Sequence, residues 1–263
     1  MRITCLGTCS GTEPMPGRHH VSIAVEEAGG VYWFDAGECC SHTAHNLGID
    51  LLATRAIIIS HTHIDHIGGL PNLIWTIRKL EGRTTDSARR IAGRTVPLLI
   101  PDLRTWEAAV GLIADPVAWG VGLDFHLTAR TYQDGVILDD GVLRVTAQHN
   151  LHLGDPGPDQ PWRSFSFRIE SAGRAMVFSG DVKDIRDFAP LISPCDVLFM
   201  ETGHHRVEDV CRYLADHETE FGRLVFIHHG RAILADPEGE AAKARAILGD
   251  RVTIADDGMP FEL

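Results

Sequence analysis

The chain has 263 residues, 44% of them hydrophobic, enough to bury one large core or two small ones. Its net charge of −12, from 24 Lys and Arg against 36 Asp and Glu, repels polyanions at long range unless a local basic patch opposes it. Nucleic acid is therefore a handicapped partner, and no segment approaches the apolar length that a membrane span requires.

The opening MRITCLGTCSGTEP has one basic residue and no apolar run of signal-peptide length, so a cytoplasmic location is expected. The six cysteines (Cys5, Cys9, Cys39, Cys40, Cys195, Cys211) form no C-x-x-C pair and are expected as free thiols, with the adjacent Cys39 and Cys40 used in packing. A single compact domain over 1–263 is the default.

In chain order, short apolar, β-rich runs predict strands over 2–6, 21–25 and 31–35, then a helix over 41–52 and a strand over 56–60. Helical periodicity follows at 69–80 and 103–113, then strands at 142–147, 165–170, 174–179 and 196–200. A helix over 207–220, a strand over 223–227 and a helix over 238–248 complete the set. Only SerAlaGly separates the strands ending at Glu170 and beginning at Arg174, which predicts an antiparallel hairpin and argues against a purely parallel sheet. The polar stretch 81–94 and the Pro/Gly/Asp-rich stretch 155–163 read as surface loops. The apolar segment LPNLIWTI suits the core, or else an interface in a homodimer. GTCSGT lacks the G-x-G-x-x-G spacing of a dinucleotide site and is followed by a strand-like segment.

Fifteen histidines depart from average usage, and imidazole is the commonest protein ligand of transition metals. After the strand AIIIS comes HTHIDH, which places His61, His63, Asp65 and His66 within six residues. In an extended turn, residues two apart point the same way, so His61 and His63 can grip one ion while Asp65 and His66 address a second. Four residues cannot complete two coordination shells. Further candidates lie at strand carboxyl ends: His149 and His152 after VLRVTA, Asp181 after AMVFS, and His228 and His229 after LVFI. A buried carboxylate such as Asp181 can bridge two cations and offset their repulsion.

This pattern resembles the metallo-β-lactamase superfamily over nearly the whole chain. The resemblance implies an α+β fold, an αβ/βα four-layer sandwich of two mixed sheets flanked by helices. It further implies one metal on His61, His63 and His152, another on Asp65, His66 and His228, and Asp181 between them. Zn2+ is the expected ion, with Mn2+ or Fe as alternatives. His152 is preferred to His149 because the ligand in similar segments stands five residues beyond the VTA, leaving His149 a supporting place. His228 is preferred to His229 because it directly follows the apolar strand, leaving His229 to face substrate.

Within the superfamily the chain is most similar to the ribonuclease Z group and its small phosphodiesterase relatives. LGTCSGTEPMPGRHHVS resembles that group's opening loop, and YWFDAGE its Asp-x-Gly-Glu turn, with Asp35 and Glu38 supporting the ligand loop. LFMETGHH resembles a fusion of two of its motifs, which makes Glu201 and His204, or else His205, the counterparts of an acidic residue and a catalytic histidine. The long arm that tRNA-processing members use to grip tRNA is not found, so a phosphodiester or other small molecule is favoured over tRNA.

The expected chemistry is attack on phosphorus by a hydroxide held between two cations and oriented by Asp65, with His204 protonating the leaving oxygen and Glu201 fixing that imidazole. A carboxylic ester, lactone or amide is the alternative substrate, since the same ions polarise a carbonyl. A diiron redox protein is disfavoured by His63, where redox members usually carry a carboxylate, and a non-catalytic scaffold by the full set of ligands.

Overall fold

The structure, a computed structural model, describes residues 1–85, 91–113, 123–192 and 194–263. Its first sheet contains β1 (Arg2–Gly7), β2 (Ser22–Glu27), β3 (Gly30–Phe34), β4 (Thr54–Ile58), β5 (Thr95–Leu99) and β6 (His126–Arg130). The second contains β7 (Gly135–Asp139), β8 (Arg144–His149), β9 (Phe165–Ser171), β10 (Arg174–Phe178), β11 (Cys195–Thr202), β12 (Phe221–His229) and β13 (Val252–Ile254). The last strand, β14 (Pro260–Glu262), returns to the edge of the first sheet beside β1. The orders are β14-β1-β2-β3-β4-β5-β6 and β13-β12-β11-β10-β9-β8-β7. Both sheets are mixed: β1 to β3 pair antiparallel and β3 to β6 parallel, while β7 to β10 pair antiparallel and β10 to β13 parallel.

The central strands are largely apolar because they are covered on both faces, whereas the edge strands β6 and β7 are mostly exposed. Tyr32 and Phe34 point into a core between the sheets, where they meet Phe165, Phe167 and Phe199, whereas Val31 and Trp33 of the same strand enter a second core under the helices. Each such fully buried side chain contributes about 1.5–3 kcal/mol. The outer layer on the first sheet includes α1 (Cys40–Asn46) and α3 (Leu70–Glu81). On α3, Leu70, Leu73, Ile74 and Ile77 form the buried stripe of an amphipathic helix, which gives LPNLIWTI its core role. A third core packs α4 (Val207–Asp216) and α5 (Pro237–Leu248) on the second sheet through Val210, Leu214, Ala244 and Leu248. No helix among the described residues is long and apolar enough to cross a membrane.

The SerAlaGly hairpin forms as expected, with Ala172 (φ 48°) and Gly173 (φ 78°) in the left-handed turn that strand twist favours. The helix expected over 41–52 stops at Asn46, and Asp50 caps a separate 3-10 turn at Leu51–Ala53. The helix expected to reach Glu220 ends at Asp216, with Glu218 in a left-handed conformation (φ 48°). Of the stretch 81–94, residues 86–90 lie outside the described residues. Its described residues are largely exposed, as expected, except that Glu81 and Ile91 are buried and Glu81 Oε2 accepts the backbone N–H of Ile91 at 2.7 Å. Residues 155–163 are a largely exposed loop, as expected, in which Trp162 is half-buried.

Candidate metal centre

The parallel runs orient β4, β8, β10, β11 and β12 so that their carboxyl ends meet on one edge of the sandwich. Each delivers a polar side chain there. After β4 the chain turns through His61 to His63, and Asp65 and His66 lie on the short α2 (Ile64–Ile67). The turn is anchored by Asp35, which is fully buried at the end of β3. Asp35 Oδ1 accepts the Ser60 backbone N–H at 2.7 Å, and its Oδ2 accepts the Ser60 hydroxyl at 2.8 Å and pairs with His66 Nδ1 at 2.7 Å. Asp35 (φ 58°) and His228 (φ 53°) both hold left-handed backbone, a conformation that costs about 1–3 kcal/mol and clusters at functional sites.

Asp181 stands at the middle with its oxygens facing two different sets of donors. Oδ1 lies 3.3 Å from His66 Nε2 and 3.2 Å from His228 Nε2. Oδ2 lies 3.9 Å from His61 Nε2 and 3.7 Å from His152 Nε2. Donor atoms of His61, His63, His152 and Asp181 fall within 4.8 Å of one another, as do those of Asp65, His66, Asp181 and His228. The Gly-Asp turn that aims Asp181 requires its glycine: Gly180 has φ 56°, and a Cβ there would lie 2.7 Å from the Phe165 carbonyl oxygen.

The residues fit divalent cations. His61 Nε2, His66 Nε2 and Asp181 Oδ1 are buried without a well-aligned hydrogen-bond partner, although an unpaired buried polar atom costs about 1–3 kcal/mol. Imidazole nitrogens and carboxylate oxygens without sulfur are the donor set of zinc and similar ions. Burial and the neighbouring imidazoles His66, His152, His63 and His228 hold His61 well below the usual histidine range. Burial, with help from His204 and His63, also lowers His152 to about 4 against the pull of Asp181, so both are neutral and ready to ligate at pH 7. Burial works against charge on His66 and His228 too, but Asp181 with Asp35 lifts His66 well above the usual range, and Asp181 with Asp65 lifts His228 to about 9. Burial would raise Asp65, yet the hydrogen bond from His228 at 3.1 Å keeps its carboxyl far below the carboxylate range.

Glu201 is fully buried at the end of β11. Its Oε1 accepts His204 Nδ1–H at 3.0 Å, and its Oε2 accepts the His204 backbone N–H at 2.9 Å. That hydrogen bond raises His204 above the ordinary histidine value. The His204 ring sits 5.0 Å from that of His152 and is 46% exposed, so it reaches both the cluster and solvent. Gly203 is required between them, because a Cβ there would lie 2.6 Å from His228 Nδ1. His205 Nε2–H donates to the Val182 carbonyl at 3.0 Å and lies 3.4 Å from Glu201 Oε1.

Three expectations need correction. His149 pairs with Asp134 at 2.6 Å and stacks on Trp162, away from the donors, because β8 ends there and the chain bends before His152. His229 does not face substrate: it is buried, its Nε2–H donates to the Ala255 carbonyl at 2.7 Å, and burial lowers it to about 3. Glu38 is exposed and, among the described residues, pairs with His20 at 3.7 Å and not with the ligand loop, which Asp35 holds. Sequence reasoning also missed Ser60, whose hydroxyl links Asp35 to His61 Nδ1 at 3.1 Å; no pattern in the sequence marks it.

A sequence profile described as the beta-lactamase superfamily domain matches residues 40–255. The chain belongs to that superfamily. Its sandwich is a metallo-β-lactamase fold, similar over 99% of both chains to the metallo-beta-lactamase fold protein YhfI from Bacillus subtilis (TM-score 0.74, 16% identity). It is similar over 100% of this chain and 99% of the other to the short form of human tRNase Z (TM-score 0.69, 20% identity). Ribonuclease Z of Shouchella clausii (strain KSM-K16) is 26% identical across 100% of this chain and 97% of that protein. Within the beta-lactamase superfamily, ribonuclease Z proteins are thus among the relatives that the chain resembles over nearly its whole length.

Proposed function

We propose that this chain is a phosphodiesterase with two divalent ions, most simply Zn2+, acting on a small phosphodiester. His61, His63 and His152 would hold one ion and Asp65, His66 and His228 the other, with Asp181 shared. The observation that carries the reading is the division of Asp181 between two donor sets, Oδ1 toward His66 and His228 and Oδ2 toward His61 and His152. Bound ions supply positive charge opposite phosphoryl oxygens and acidify water.

The protein's own groups complete the chemistry. The Asp65 carboxylate, kept ionised by His228, orients the attacking water. His204, its Nδ1 held by Glu201, turns Nε2 to the leaving oxygen and gives it a proton. Glu201 raises that imidazole so that its acid form persists nearer neutrality. The near-full-length likeness to ribonuclease Z of Shouchella clausii supports phosphodiester chemistry, while the charge of −12 favours a small substrate over tRNA.

The test is a hydrolysis screen of zinc-loaded protein against bis(4-nitrophenyl) phosphate, cyclic nucleotides, a tRNA precursor and 4-nitrophenyl esters, at several salt concentrations. Diester turnover with little ester cleavage is expected. Ester or lactone cleavage alone would replace the reading, and tight, salt-sensitive tRNA cleavage would reverse the choice of a small substrate. A His61→Ala protein that binds its partner normally without turnover in either form would point to a scaffold instead.

A further inference from the structure

The chain between β8 and β9 folds around a cavity of about 300 Å3, lined by Leu153, Gly154, Pro156, Gln160, Trp162 and Arg163. That is the small end of the range for ligand pockets, about 300–1,000 Å3, with room for one ring system and not for a nucleic-acid strand. The cavity is joined to the metal centre through the ligand loop. Asn150, which also lines it, accepts the His152 backbone N–H at 3.1 Å and donates to the Ser166 hydroxyl at 3.2 Å, so the cavity and His152 share one support.

Trp162 is held from two directions. Its ring stacks on His149 with centroids 3.9 Å apart and planes at 13°. His149 is itself fixed by Asp134, which accepts its backbone N–H and binds its Nδ1, both at 2.6 Å. The Gln133 side-chain amide clasps the Trp162 backbone, donating to its carbonyl at 3.3 Å and accepting its N–H at 3.2 Å. The indole packs in part against the core between the sheets and also lines the cavity, so it is a rigid wall of that opening. Leu153, next to the ligand His152, is 42% exposed and offers a second apolar surface at the same opening.

We propose that this cavity seats a flat aromatic ring, a nucleobase or simple arene, carried by the phosphodiester whose phosphorus lies at the metal centre. The ring stacks on Trp162 and rests on Leu153, while the Gln160 amide and Arg163 guanidinium meet its polar edge. The cavity is lined by Asn150, which holds His152, and not by His204, so the ring is assigned to the arm that His204 does not release. The inference rests on the phosphodiesterase reading and adds to it the class of substrate.

Three diesters that share the 4-nitrophenolate leaving group test it, with methyl, 4-nitrophenyl or thymidine 5′ as the retained arm. Zinc-loaded wild type should show KM about tenfold lower for either ring-bearing arm than for methyl. Trp162→Ala should collapse that ratio and Trp162→Phe should keep most of it, with metal content confirming the fold of each variant. A lower KM for thymidine than for 4-nitrophenyl supports a nucleobase, and the reverse supports a plain arene. Equal KM for all three arms, or a preference that survives Trp162→Ala, overturns the proposal. Should no diester be cleaved, the phosphodiesterase reading fails on its own. Calorimetric binding of bis(4-nitrophenyl) phosphate then decides the cavity: tighter binding to wild type than to Trp162→Ala keeps it, and equal or absent binding overturns it.

Discussion

The first sheet delivers its donors in one piece: His61, His63, Asp65 and His66 occupy six residues after β4, clamped from beneath by Asp35 and Ser60. The second delivers them singly, His152 beyond β8, Asp181 beyond β10 and His228 at the end of β12, with Glu201 and His204 at β11. A contiguous loop is shaped by local hydrogen bonds. The separate donors meet only because their strands run the same way and end on the same edge. Damage to the first group should therefore be graded by its buried support, and damage to the second by each residue's contact with the shared centre.

The largest expected effect is at Asp181, the residue both donor sets face. Asp181→Ala should lose most bound metal and lower turnover on the order of 10³-fold or more, measured by elemental analysis and steady-state kinetics. Unchanged metal content would remove Asp181 from the bridging position. His204→Ala separates chemistry from assembly: it should keep its metal while kcat falls roughly 10²–10⁴-fold, the usual contribution of a general acid. Equal loss of metal would make His204 a ligand. Asp35→Asn probes the support of the contiguous loop and should weaken zinc affinity about 10- to 100-fold in a chelator competition while the fold persists.

The smallest effect lies at the end of the sandwich away from the donors. There the Tyr32 hydroxyl of the first sheet donates to Asp140 Oδ2, in the turn before β8, at 2.7 Å. Burial would raise Asp140, but the Leu143 backbone N–H, the Tyr32 hydroxyl and the Val142 backbone N–H together lower it. A depressed carboxylate contributes stability above its unfolded pKa and loses it as pH falls through the folded one. Asp140→Asn should thus lower Tm by a few degrees near pH 7, for a loss of about 1 kcal/mol. The gap between wild type and variant should close in acid, and a gap that widens there would contradict the assigned direction.

The same contrast explains what the sequence made legible. HTHIDH is dense enough to be read as a ligand loop without a fold, and the doubly covered strands stand out as unbroken apolar runs. The choice of His152 over His149 and of His228 over His229 came from resemblance, and the geometry that distinguishes them is long-range: an ion pair to Asp134 in one case and a bond to Ala255 in the other. Strands β5, β6 and β7 are less legible: β5 is interrupted by Pro97, β6 mixes polar and apolar residues, and β7 has only a three-residue apolar run between Gly135 and Asp139, while β13 and β14 are three residues long. Glu38 was misjudged because it lies three residues from Asp35 in sequence while its side chain turns to solvent.

The most direct test of the central claim is the metal content of the purified wild-type chain after equilibration with excess Zn2+ and removal of free ion. Two ions per chain are predicted. A chain that retains none under these conditions would contradict the assignment of His61, His63, Asp65, His66, His152, Asp181 and His228 as a paired metal centre.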